Sequence, residues 1–157
     1  MRTAIILPLC AALALLTGCG SEPAPVPTPV KKAATPPADE SRRFPVTDRV
    51  ETTIAADHIL GHDFLPGGNL AHYKKGKTEY DLILIRCANA QAAGILLFDY
   101  KTRLENPKVV PGFGGFAGKD GARDAFLFAK GPYLLGILGL PQDEADLVAR
   151  QFATRIE

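Results

Sequence analysis

The chain has 157 residues, 18 basic and 17 acidic side chains, three Cys and no Trp, with 46% hydrophobic residues. That length suits one ordinary domain with appendages and excludes a large multidomain enzyme. A net charge of +1 leaves no electrostatic footprint for nucleic acid, because phosphate affinity rests on clustered positive charge.

Met1 and Arg2 lead into a nearly unbroken apolar run from Ala4 to Leu16. As a helix this run rises about 20 Å, short of the roughly 30 Å of a bilayer core, so residues 1–18 read as an export signal. No polar face interrupts it, as a buried core helix would require. Leu16-Thr17-Gly18-Cys19 then resembles the lipobox of bacterial lipoproteins. The resemblance implies cleavage before Cys19, diacylglycerol on its thiol and acylation of the new amino terminus. Acyl chains worth about 0.8 kcal/mol per buried methylene would make the bilayer, through Cys19, the first partner. Gly20, where an Asp often marks inner-membrane retention in that family, favours an outer-membrane location facing the periplasm.

Residues 19–45 carry seven Pro among small and charged residues, at 23, 25, 27, 29, 36, 37 and 45. Pro fixes φ, lacks a donor and pushes its predecessor toward extended backbone, so the segment reads as a polyproline-rich tether.

Residues 46–157 remain for a single globular head with 13 basic and 14 acidic side chains. Asn69 to Tyr73 and Thr78 to Cys87 form a predicted hairpin around Lys74-Lys75-Gly76-Lys77. Tyr80 to Arg86 is apolar on both faces at its middle, as a central strand is. Asn89 is placed to cap a helix through Ala90, Ala92, Ala93, Leu96, Leu97 and Tyr100, although Ile95-Leu96-Leu97-Phe98 also fits a strand. Lys108 to Val110 is a short strand entering a Gly-rich stretch. Ala125 to Ala129 and Tyr133 to Leu140 form a second hairpin. Pro141 opens a last helix whose Ala145, Val148, Ala149, Phe152 and Ile156 share one face, with acids early and arginines late. The expected class is α+β: a mostly antiparallel sheet of about five strands with two or three helices packed on it.

The candidate chemistry is sparse. His58 and His62 are four apart, the spacing of a helical metal pair, with His72 and Asp63 as further ligands. Gly61 weakens that helix, and a solvated or capping role is the plain alternative. Cys87 is the one thiol left once Cys10 is cleaved off and Cys19 acylated; a catalytic role would need a neighbouring His. Gly112-Phe113-Gly114-Gly115-Phe116-Ala117-Gly118-Lys119 partly fits dinucleotide and phosphate-binding loops, but no helix follows it. Ser21 and Ser41 are the only serines, both within the tether, so the head offers no Ser nucleophile. No cofactor is implied.

The stretches His62 to Tyr73, Ala92-Ala93-Gly94 and Phe128 to Tyr133 loosely resemble exported bacterial proteins of unassigned function, a likeness that transfers no activity. The expectation is a non-catalytic envelope lipoprotein whose head binds another envelope protein or a small ligand, near Pro66-Gly67-Gly68 and the Gly112–Gly121 stretch. Its rival is a small metal- or thiol-dependent enzyme using His58, His62, His72 or Cys87.

Overall fold

The computed structural model describes residues 36–157. The stretch expected to be an export signal, Cys19, and the expected tether through residue 35 lie outside the described residues. Seven strands, β1 (Arg49–Asp57), β2 (Pro66–Lys75), β3 (Thr78–Arg86), β4 (Glu105–Val110), β5 (Gly115–Asp120), β6 (Arg123–Lys130) and β7 (Tyr133–Leu138), form one sheet. Its order is β1-β2-β3-β7-β6-β5-β4, and every neighbouring pair is antiparallel.

Two meanders build this order. The first runs β1 to β3 and stops at the sheet's middle. Helix α1 (Ala90–Lys101) then crosses one face to reach the far edge, where β4 begins the return to β7 beside β3. From there α2 (Gln142–Ala153) folds back over the opposite face.

Each face therefore owns a core. On the α2 side, Tyr73, Leu82, Leu84, Phe126, Phe128, Leu135 and Ile137 meet Ala145, Ala149 and Phe152. On the α1 side, Ile83, Ile85, Leu127, Leu134 and Leu138 meet Leu97 and Tyr100. Strands buried on both faces need continuous apolar runs, which explains Leu82-Ile83-Leu84-Ile85, all fully buried. The Asn89 side chain accepts from the Ala92 amide at 2.8 Å and so starts α1.

The class is α+β with an antiparallel sheet, but the strands number seven rather than about five. The two strands that composition hides are β1 and β5. β1 (Arg-Val-Glu-Thr-Thr-Ile-Ala-Ala-Asp) is exposed along most of its length and shows no inward apolar alternation. β5 is Gly-rich because its neighbours lie close: a Cβ on Gly115 would run into the Leu127 carbonyl, and one on Gly118 would come within 2.9 Å of the Glu105 carbonyl oxygen.

The folded unit also takes in Ala38–Pro45, which the proline pattern assigns to the tether. Phe44 is fully buried and stacks on Phe152 at 5.3 Å between centroids. The buried Asn69 amide donates to the Ala38 carbonyl and its oxygen accepts from the Glu40 amide, both at 3.0 Å. Tyr73 donates its hydroxyl to the Pro45 carbonyl at 2.7 Å. Glu40 itself holds Arg43 at 2.6 Å and Arg86 at 3.3 Å. Ser41 thus belongs to the head, in a 3₁₀ turn (Ser41–Arg43), where its carbonyl accepts from Arg49.

Candidate functional site

The β1–β2 connection carries two of the three histidines and is built from unusual backbone. His58 at φ 48° and Leu60 at φ 62° are left-handed without being glycine, and Gly61 follows at φ 76°. Non-glycine residues held there cost on the order of 1 kcal/mol each. The burial of Ile59 and Leu65 in the α1-side core offsets that cost and fixes the loop between them.

The loop delivers His62 onto Asp120, at the end of β5. His62 Nε2 lies 2.8 Å from Asp120 Oδ2, and the Tyr100 hydroxyl donates to the same oxygen at 2.7 Å. With Nε2 carrying the proton, Nδ1 is the ring's remaining position. Burial first, then the Asp120 hydrogen bond and charge, push the Tyr100 phenol well above its ordinary range. His62, Phe64 and Tyr100 pack as three rings with centroids 5.2–5.7 Å apart. Arg103, just past α1, lays its guanidinium 4.1 Å from the Phe64 centroid. Gly61, His62, Asp63, Phe64, Arg103 and Asp120 line an open hollow of about 570 Å³.

His72 is engaged elsewhere. Its Nδ1 lies 2.7 Å from Asp81 Oδ1, the cross-strand neighbour on β3, while Arg123 holds the second Asp81 oxygen at 2.7 Å. Arg123 also donates to the Leu138 carbonyl at 3.0 Å. The His58 ring has Asp57 as its carboxylate neighbour, at 3.9 Å. The three histidines are thus tied to three different carboxylates, and no group of three metal-ligating side chains occurs among the described residues.

Cys87 follows β3, with its amide donating to the Pro132 carbonyl at 2.7 Å. The thiol packs at the margin of the α1-side core, and burial raises its pKa above the ordinary thiol value. A raised thiol carries less of the thiolate that nucleophilic chemistry needs. The Gly112–Gly121 stretch is turn, strand and turn, with Gly118-Lys119 inside β5. Phe113 plugs the α2-side core against Phe126 and Phe128, whereas Phe116 packs on the other face beneath Lys101. Pro66-Gly67-Gly68 opens β2 and pairs with β1. Of the two stretches expected to hold a ligand, only the second contributes to the hollow, through Asp120. Asp120, Tyr100 and Arg103 escape sequence reasoning because three separate connections bring them together.

The sheet's two edges differ. β4 has six residues, is interrupted by a bulge at Asn106 (φ 50°), and contains Pro107 and Lys108. These are the devices that blunt a sheet edge. β1 has nine residues with neither Pro nor Lys; a bulge lies between Arg49 and Glu51, and from Glu51 to Asp57 it pairs regularly with β2. Val50 and Ile54 stand exposed along it.

No protein-family model, curated protein or solved structure matches the chain.

Proposed function

We propose that the chain is an envelope lipoprotein, held in the bilayer by lipid on Cys19, sorted to the outer membrane and facing the periplasm. Its head is a binding module that accepts an extended segment of another envelope protein along β1. The β1 edge is the observation that carries this reading. Past its bulge at Arg49–Glu51 it runs regularly to Asp57, and no strand among the described residues pairs with its outer side. Such a row of backbone donors and acceptors is a template for strand addition. Glu51 and Asp57, with Asp48 just before the strand, outnumber Arg49, and Arg49 is turned to the Ser41 carbonyl. The acidic bias disfavours a second copy of the same edge and suits a segment carrying Lys or Arg between its apolar positions. The geometry gives no comparable support to an enzyme built on His58, His62, His72 or Cys87, since these side chains go to separate partners.

Two experiments test the reading. Cys19→Ala releases the chain from the membrane fraction; retention there overturns the anchor. A photocrosslinker at Ile54 in the intact envelope yields an adduct that maps to an extended, basic segment of a second protein. Successive amides along a strand point in opposite directions, so one of Thr52→Pro and Thr53→Pro spares the β2 ladder. The variant that keeps its circular dichroism loses the adduct. Persistence of the adduct in that variant, equal labelling from Lys108 on β4, or no adduct overturns strand addition.

A further inference from the structure

Two opposite charges, Asp63 and Arg103, line one hollow without pairing with each other. Asp63 and Arg103 both line the space beside His62, both are exposed, and neither has an ion-pair partner within 4.0 Å among the described residues. Neither is loosely placed. Arg103 is clamped on the Phe64 ring, and its amide closes the turn after α1 on the Tyr100 carbonyl at 2.9 Å. Asp63 lies between His62, locked on Asp120, and Leu65, whose amide donates to the His62 carbonyl at 3.0 Å. The Asp120 charge is answered within the wall by His62 and Tyr100.

The hollow thus presents one guanidinium, one carboxylate and an aromatic wall to solvent. A guanidinium offers a planar fork of donors to a carboxylate, and a carboxylate accepts from an ammonium. We propose that this hollow binds a compact zwitterion of the amino-acid class, its carboxylate on Arg103, its ammonium on Asp63 and its side chain against the His62 and Phe64 rings. The site lies apart from the β1 edge in its chemistry and its test, so failure of either proposal leaves the other standing.

Titration of the full chain in detergent with the common free amino acids tests the site, followed by calorimetry and by the His62 ring resonances. At least one binds saturably and shifts the His62 ring. Its amide and its N-acetyl derivative, each lacking one charge, bind about tenfold weaker or worse. Arg103→Gln removes the difference between acid and amide, and Asp63→Asn removes that between amine and acetamide. Both side chains are exposed and outside the two cores, but Arg103→Gln gives up the stack on Phe64, so circular dichroism and a thermal melt first establish that the variant is folded. No saturable binding by any amino acid at millimolar concentration overturns the proposal. So does equal binding of the free and doubly blocked forms, or discrimination unchanged in both variants.

Discussion

The Tyr100 hydroxyl donates to Asp120 Oδ2 at 2.7 Å, joining the last turn of the crossover helix to the tip of a strand near the sheet's far edge. Tyr100 is fully buried, and its ring also meets Phe64 and His62. Tyr100→Phe keeps the ring and removes the donor, so the expected loss is about 1.5–3 kcal/mol, the range for a hydrogen bond to a charged group. Asp120→Ala strips the acceptor from both Tyr100 and His62 and should cost more. Urea unfolding of the three proteins checks the order; equal midpoints would contradict it.

Alkaline pH should unfold the head, and buried phenols supply part of the reason. Tyr73 and Tyr100 ionise well above the ordinary value of 10.0, chiefly because burial penalises the phenolate. Above that value the unfolded chain has lost these protons while the folded chain keeps them. The folded state then binds more protons, and stability falls as pH rises. The contribution is whole below about pH 10 and is lost progressively above it. Unfolding free energy measured at pH 8 and at alkaline pH should show a shallower fall in Tyr100→Phe than in the native chain.

Gly114 and Gly115 are neighbours with opposite demands. Gly114 sits at φ +62° in open space, so Gly114→Ala costs only the left-handed penalty of about 1 kcal/mol. Gly115→Ala places its Cβ against the Leu127 carbonyl and must push β5 from β6. A loss of about 1–3 kcal/mol is expected there, the usual cost of overpacking. Thermal melts of the pair decide; a Gly114 variant that melts lower than the Gly115 variant would reverse the reading.

Cys87 should alkylate slowly. Burial raises its thiol above the ordinary 9.0, only partly countered by a backbone hydrogen bond from Leu134. Iodoacetamide labelling of the folded chain should lag behind a cysteine peptide at pH 8 and accelerate with rising pH to a later midpoint. Labelling as fast as the peptide would mark a thiolate that the structure does not explain.

The legible parts of the fold were those with one dominant signal. Asn89 before an Ala- and Leu-rich run announced α1, and the apolar stripe ending in Phe152 and Ile156 announced α2. Leu82 to Ile85 announced a strand covered on both sides. Strand β5 was illegible because Gly115 and Gly118 meet a tertiary demand, close strand approach, that mimics turn composition. Strand β1 was illegible because an edge exposed on both faces has no reason to alternate. Phe44 sat among prolines, so its burial depended on Asn69 and Phe152, remote in sequence. At the site, His62 was legible as a titratable residue, but its partner was not among His58, His72 and Cys87. Asp120 stood in a stretch notable for glycine, and nothing in local pattern pairs it with a loop 58 residues earlier.

The stack of Phe44 on Phe152 has a consequence for how the head comes into being. One wall of the α2-side core is laid down before any strand is made, and the opposing wall is the last helix in the chain. Until α2 has been synthesised and delivered, the hydrophobic surface formed by Leu84, Phe128 and Leu135 has no cover. The α2-side core can therefore close only after α2 has been made. If the chain is exported as proposed, this ordering would keep it threadable until its final turns have emerged.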